Sequence, residues 1–234
     1  MASLAAYWQF QDAVAHAQLH AWLPDHQRLL IDISADSAVA ARLAARAGHL
    51  VLRVIPRADG PPPGDGIRQV VADPPALDFL ADGCADGVIA EGRALSLTLA
   101  SETLVAEISR VLRPAGRVLA SVDSLVFGMA VLAEHQHWAE LADLPRADVV
   151  LIPWPDGTIT RCYGIDQLRE LFADSGLIIC WIRPRTVLSA KTVGRMLSLP
   201  HASLPRLVAA ELRARPDDSL GTQLVISARK PAAA

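Results

Sequence analysis

Short apolar runs alternate with helical segments over most of the chain, and this alternation restricts the fold more than any other feature. Strands that are apolar on both faces and alternate with helices are typical of a parallel sheet covered by helices on both sides. The sequence therefore predicts an α/β fold. The clearest runs lie at 28–33, 50–55, 67–72, 86–91 and 117–122.

The segments between the runs have the apolar spacing of helices. We predict helices over 3–22, closed by Pro24, over 37–48, which ends on a capping glycine, and over 100–112. Residues 149–163 contain Pro-Asp-Gly between two β-rich runs, which predicts a hairpin. The remaining predicted elements are helices over 165–176, about 189–199 and 202–214, and strands over 177–182 and 222–229.

No repeat, low-complexity linker or second-domain boundary interrupts this pattern. We therefore predict one domain over 1–234, with 1–27 as an N-terminal helical cap and 124–163 as an insertion that carries the hairpin. At 234 residues, with 52% of them hydrophobic, the chain is long enough to bury a substantial core.

Charge and cysteine content narrow the class of protein. A formal net charge of -3 is not typical of a nucleic-acid-binding protein, which is usually basic. No apolar run reaches the ~20 residues that a membrane span needs. The three cysteines are far apart and form no CxxC motif, which argues against a disulfide scaffold or a thiolate zinc site. We therefore expect a cytoplasmic protein, without nucleic acid or membrane as a partner.

Three stretches carry a family resemblance: LLIDISADSAVAARLAARAGHLVLRVI (29–55), VVADPPALDFLADGCADGVIAEG (70–92) and LVAEISRVLRPAGRVLASVDS (104–124). Together they resemble the class I S-adenosylmethionine (SAM) dependent methyltransferases of the small-molecule type. The most specific piece is the turn where a helix ends at Pro114, Gly116 allows the reversal and a core strand begins. The resemblance implies a Rossmann-like sandwich with a seven-stranded, mostly parallel sheet whose last strand is antiparallel.

The resemblance also implies where SAM would bind. In the family the first strand ends in an acid and a loop with three glycines, which let the backbone approach the cofactor. Asp32 takes the acidic position, but the glycine positions fall on Ser34, Asp36 and Ala38. These side chains put bulk or charge where the methionine part of SAM would lie. Ser34 and Asp36 have an alternative use as caps of the following helix.

Further cofactor positions are mixed. The acid that binds the ribose hydroxyls in the family falls on Ile55, which accepts no hydrogen bond. Asp73 takes the place of an acid that contacts the adenine, although Asp-Pro after a strand is also ordinary turn chemistry. The first helix often covers the cofactor in the family, so Tyr7 either lines a pocket there or packs onto the sheet. SAM is thus a candidate cofactor that lacks most of its standard contacts.

Candidate catalytic groups follow from position. Glu91 and Asp123 lie at the carboxyl ends of two strands, where open α/β sheets bind ligands, and His135 in the insertion is a candidate base. Each is otherwise a solvated loop residue. No metal site is predicted: His16 and His20 on the first helix have only Asp12 and Asp25 near them, and two histidines on a surface helix are the alternative interpretation. Trp154 and Tyr163 on the hairpin face either a pocket or a second subunit.

Two functional hypotheses remain open. The first is a methyltransferase-fold protein with a degenerate SAM site, a pseudoenzyme that binds a small molecule or a partner protein, with a homodimer as a further option. The second is an active SAM-dependent methyltransferase that acts on a small molecule. A cavity open at the end of the first strand favours the enzyme, whereas a loop that fills this space favours the binding protein.

Overall fold

A computed structural model describes residues 2–35, 38–57, 64–144, 149–154, 156–213 and 221–233. The strands are β1 Leu29–Asp32, β2 Leu50–Ile55, β3 Ile67–Val71, β4 Ala85–Ala90, β5 Leu112–Ser124, β6 Val150–Pro153, β7 Ile159–Tyr163, β8 Ile178–Arg185 and β9 Gln223–Arg229. The helices are α1 Ala2–Trp22, α2 Val39–Arg46, α3 Ala94–Leu97, α4 Ser101–Val111, α5 Leu125–Glu134, α6 Trp138–Asp143, α7 Ile165–Asp174, α8 Ala190–Leu197 and α9 Leu204–Glu211.

The main sheet has the order β3-β2-β1-β4-β5-β9-β8. The pairs from β3 through to β5 are parallel, whereas β9 runs antiparallel to both β5 and β8. The predicted α/β sandwich, mostly parallel with an antiparallel last strand, is therefore confirmed.

The predicted number of seven strands is wrong, because the described residues alone form a sheet of nine. The two extra strands are the hairpin β6–β7, which the sequence placed in an insertion outside the sheet. β7 joins the sheet by running parallel to the carboxyl end of β5, where Asp123 pairs with Cys162 and Ser124 with Tyr163. The hairpin is thus attached at the edge of the sheet where ligands bind in open α/β folds.

Helices cover both faces of the sheet, as strands apolar on both sides require. On one face α1 and α2 pack through side chains such as Leu19, Trp22 and Ala44. On the other face α4 and α7 pack through Leu104 and Phe172, both fully buried.

The turn between α4 and β5 differs from the prediction. The left-handed residue is Ala115, with φ 63°, and not Gly116. Gly116 is instead required by close packing, since a Cβ there would lie 2.8 Å from the Arg113 carbonyl oxygen. β5 also begins at Leu112, five residues before the predicted start at 117. The Arg-Pro-Ala-Gly segment is therefore part of the strand.

The N-terminal helix α1 contacts both the helices α8 and α9 and the strand β9. Phe10 and Val14 pack with Val193 of α8 and Leu207 of α9. At its other end the Trp22 indole donates a hydrogen bond to the β9 hydroxyl Ser227 Oγ at 3.1 Å. No helix in the described ranges is long and apolar enough to cross a bilayer.

Candidate functional site

A cavity of about 450 Å³ lies at the carboxyl edge of the sheet, within the size range of small-molecule sites. It is enclosed by α1, α2, α5, the hairpin and the ends of β1, β4, β5 and β8. The lining residues are Trp8, Gln11, Asp12, Ala15, His16, Leu19, Ser34, Val39, Ala40, Leu43, Glu91, Gly92, Arg93, Ser121, Asp123, Phe127, Trp154, Arg185, Thr222 and Gln223.

A buried ion pair forms part of the cavity floor. Arg185, at the end of β8, donates two hydrogen bonds of 2.8 Å to the carboxylate of Glu91, which follows β4. Arg185 Nε donates to Gln18 on α1 at 2.6 Å. Burial raises the pKa of Glu91, but the attraction of Arg185 outweighs this effect and leaves the pKa lowered. Glu91 is therefore held ionised and is not free to donate a proton.

The loop after β1 is fixed by Ser34. Its hydroxyl donates to Asp32 Oδ1 and accepts a hydrogen bond of 3.1 Å from the backbone N–H of Glu91. Its own backbone N–H donates to the same Asp32 oxygen at 3.0 Å. Ser34 thus ties β1 to β4 instead of leaving the open backbone that a glycine would provide.

Asp32 is fully buried, and burial raises its pKa to about 6 despite the hydrogen bonds from Ser34. Its second oxygen, Oδ2, lies 3.9 Å from Nε of Arg53, which is opposite it on β2. Neither of these two atoms makes a hydrogen bond with any described residue. The charge on Asp32 is therefore poorly compensated, which is costly in a protein interior.

A second charged pair borders the cavity. Arg93 donates from a terminal nitrogen to Asp123 Oδ2 at 3.3 Å. The Asp123 side chain is only 2% exposed, whereas that of Arg93 is 30% exposed. Asp123 lies near the end of β5 and Arg93 immediately precedes α3, where its backbone N–H donates to Ser121 Oγ on β5 at 3.3 Å.

Aromatic side chains form the walls of the cavity. Phe127 of α5 and Trp154 at the end of β6 have ring centroids 6.0 Å apart, and the Trp154 indole donates to Thr160 Oγ1 at 2.9 Å. Trp8 of α1 is 55% exposed and also lines the cavity. Of the two alternatives for Trp154, the structure shows the pocket. Tyr163 is buried instead, with its hydroxyl 2.7 Å from Ser101 Oγ.

The ends of β2 and β3 contribute no described side chain to the cavity. Ile55 is buried in the core and offers no acceptor. Asp73 is exposed, and its carbonyl oxygen accepts from the Ala76 N–H at 2.8 Å, which is the turn alternative. The described residues in this region do not fit the ribose and adenine of SAM in the standard arrangement. Asp59, the acid nearest to Ile55 in the sequence, lies outside the described residues.

Other predicted site residues lie away from the cavity. His135 is exposed at the C-terminal end of α5 and does not line it. Tyr7 packs with the cluster formed by α1, α8 and α9 and not onto the sheet, and it is not among the described residues that line the cavity. Asp36 lies outside the described residues. Asp32, Ser34, Glu91 and Asp123 do come together at one edge of the sheet.

Sequence reasoning missed Arg93 and Arg185. Arg185 ends β8, and Arg93 lies three residues after the end of β4, so a place at the carboxyl edge of the sheet was the available signal for both. No group of three or more possible metal-ligating side chains forms within the described ranges.

No protein-family model matches the sequence, and no curated protein matches it. Solved structures do match. A SAM-dependent methyltransferase from Methanosarcina mazei is 14% identical with a TM-score of 0.62, covering 92% of this chain and 97% of that one. The 1,6-didemethyltoxoflavin-N1-methyltransferase of Burkholderia thailandensis, solved with 1,6-didemethyltoxoflavin and S-adenosylhomocysteine, is 20% identical with a TM-score of 0.59, covering 96% and 81%.

A third match is a candidate methyltransferase of Haloferax volcanii, solved in complex with the Trm112 methyltransferase activator. It is 15% identical with a TM-score of 0.63, and the alignment covers 100% of this chain and 95% of that one. These similarities agree with the strand order and with the antiparallel last strand described above. The chain has the fold of the class I SAM-dependent methyltransferases.

Proposed function

We propose that the chain is a methyltransferase-fold protein that binds a small molecule at the carboxyl edge of its sheet without the standard SAM contacts. One observation carries this proposal. The cavity is built from the ends of β1, β4, β5 and β8, whereas the ends of β2 and β3, which hold the adenosine part in the family, contribute nothing described to it.

The loop after β1 supports the same proposal. The Ser34 hydroxyl is engaged as both donor and acceptor, so it occupies space that the resemblance assigns to bare backbone. A ligand that enters here meets a fixed hydroxyl and not a glycine-lined groove. This arrangement suits a ligand other than SAM bound in its usual orientation.

The charged residues of the cavity suit binding more than proton transfer. General acid–base catalysis needs a group that can gain or lose a proton near neutral pH. Both Glu91 oxygens accept from Arg185, and the lowered pKa keeps this carboxylate ionised. Asp123 is nearly fully buried beside Arg93. We therefore assign both carboxylates to holding the cavity in shape and not to catalysis.

Methyl transfer is the second candidate function. It is favoured by the cavity beside Ser34, at the end of β1, and by the matching structure that holds S-adenosylhomocysteine. In that case SAM would supply the reactive methyl group, and the residues of this chain would bind and orient the acceptor within the aromatic walls.

Calorimetric titration with SAM and S-adenosylhomocysteine separates these functions. The proposal predicts no binding at millimolar cofactor. Micromolar binding that is lost in Asp73→Ala would contradict it and support the methyltransferase, because Asp73 is the retained adenine-contact position. A matched control is Asp78→Ala, an exposed acid in the same loop.

A partner protein and a cytoplasmic setting complete the proposal. The first is supported by the Haloferax volcanii match, which was solved with an activator protein. The second is supported by three cysteines that are all unpaired thiols. Light scattering of the purified chain will show whether it forms a homodimer.

A further inference from the structure

We infer that Arg93 recognises the carboxylate of a small aromatic acid in the cavity. This inference rests on the proposed function and names the ligand class for the same site. It follows from which charges a ligand can reach, from the backbone at Arg93 and from the aromatic walls.

Most charged groups around the cavity are already satisfied. Arg185 donates from all three side-chain nitrogens, and both Glu91 oxygens accept from it. The Asp123 side chain is 2% exposed. Arg93 differs, since its side chain is 30% exposed and makes one described hydrogen bond, at 3.3 Å to Asp123. A guanidinium has five N–H donors in a planar fork, which leaves donors for a ligand carboxylate.

The backbone holds Arg93 in an unusual conformation. Its φ is 64°, in the left-handed region where an L side chain is strained and glycine is not. Gly92 before it has φ 67°, and the Arg93 carbonyl oxygen accepts the Leu97 N–H at 3.0 Å as α3 begins. Strained backbone concentrates at functional sites. Glycine would therefore suit this backbone position best. The arginine that stands there instead places its guanidinium at the cavity.

The walls fit the remainder of an aromatic acid. Phe127 and Trp154 lie together in the lining of the cavity, and Trp8 lines it from α1. Such rings favour a flat apolar body. Asp12 is an exposed acid among the lining residues, and it would instead favour an amine. An amine is therefore the competing outcome of the test.

The test compares matched ligands that differ in one group. Calorimetry at pH 7.5 and low chloride uses indole-3-acetate, indole-3-acetamide and tryptamine, with phenylacetate, phenylacetamide and phenethylamine as a second set. We expect each acid to bind about 10- to 150-fold more tightly than its amide, the range for a hydrogen bond to a charged group.

Arg93→Gly tests the residue itself. This variant removes the guanidinium and relieves the backbone strain, and we expect it to lose the preference of acid over amide. Gln136→Gly is the matched control, because Gln136 has φ 59° on an exposed turn that does not line the cavity. It should keep the preference. Arg93→Lys keeps a charge without the planar fork and should give an intermediate ratio.

Arg93→Gly leaves Asp123 without its cation, so the double variant Arg93→Gly/Asp123→Asn removes both charges if the single variant does not fold. Equal or tighter binding of the amide or amine to the wild type overturns the inference and leaves the proposed function standing. An acid preference that survives in a folded Arg93→Gly chain also overturns it. If none of the six probes binds at millimolar concentration, the inference fails, whereas the proposed function is decided separately by the titration with SAM and S-adenosylhomocysteine.

Discussion

The two halves of the carboxyl edge of the sheet differ in the side chains that follow the strands. Where β1, β4, β5 and β8 end, the chain has buried charged side chains that contact one another. Where β2 and β3 end, it has a buried Ile55 and an exposed turn at Asp73. Among the described residues, the buried ion pairs of this edge lie in one half of it, whereas the ends of β2 and β3 contribute no side chain to the cavity.

The largest expected effect comes from breaking the ion pair in the charged half. Arg185→Met leaves the Glu91 carboxylate buried without its cation, which costs about 3–5 kcal/mol of unfolding free energy. Urea denaturation monitored by circular dichroism measures this loss.

The matched control for that change removes both charges. Arg185→Met/Glu91→Gln should recover most of the loss, because a buried pair contributes little net stability once both ions are gone. A double variant as unstable as the single one would mean that packing of Arg185, and not charge compensation, holds the two strand ends together.

The next-largest effect lies at Asp32, at the end of β1 in the charged half. Its pKa is about 6 in the folded chain against a usual 3.8, so the folded state binds the proton more tightly. The resulting penalty is fully present above pH 6 and disappears as the pH falls towards 4. Asp32→Asn should therefore be more stable than the wild type at pH 8, by at most about 3 kcal/mol, with no difference near pH 4.

Unfolding free energies measured from pH 4 to pH 8 check this sign. Asp166→Asn is the control, because its parent side chain is 89% exposed. A difference between Asp32→Asn and the wild type that does not change with pH would show that burial of the carboxylate is not its cause.

A smaller loss is expected from Gly221→Ala beside the charged half. An added Cβ would lie 2.5 Å from the Arg185 carbonyl oxygen, so the backbone must move, at a cost of about 1–3 kcal/mol. Gly64→Ala is the control, since a Cβ there meets nothing within 4 Å. Thermal unfolding of both variants gives the comparison, and equal midpoints would contradict the packing argument.

The smallest effect is expected where β2 and β3 end. Asp73 is exposed and contributes a backbone carbonyl to its turn, so Asp73→Ala should change stability by less than about 0.5 kcal/mol. It should also leave the affinity of any cavity ligand within twofold. A larger loss of affinity in calorimetry would place Asp73 in the binding site and end the contrast between the halves.

The sequence predicted the strands of the main sheet well because their apolar character is a local property. β2 has the predicted bounds of 50–55, and β9 differs from its prediction by one residue. The contribution of the hairpin to the sheet was missed, because the pairing of Asp123 with Cys162 joins residues far apart in the chain. No periodicity within either segment contains that information.

The site was predicted only in part for the same reason. Glu91 and Asp123 were found because they follow strands of known direction. Their partners come from elsewhere: Arg185 ends a strand nearly a hundred residues later, and its bond to Glu91 depends on how β8 pairs with β9. His135 and Asp73 have side chains of suitable chemistry, but both are exposed and lie outside the cavity.

The position of β9 has a consequence for how the chain folds. β9 lies between β5 and β8 and covers β5 from Arg117 to Asp123, although the two strands are roughly a hundred residues apart in the chain. Pairings over such distances form slowly, because the entropy of closing the loop must be lost first. During synthesis on the ribosome, one apolar edge of β5 therefore stays unpaired until β9 has been made. The nascent chain is most exposed to aggregation during this interval.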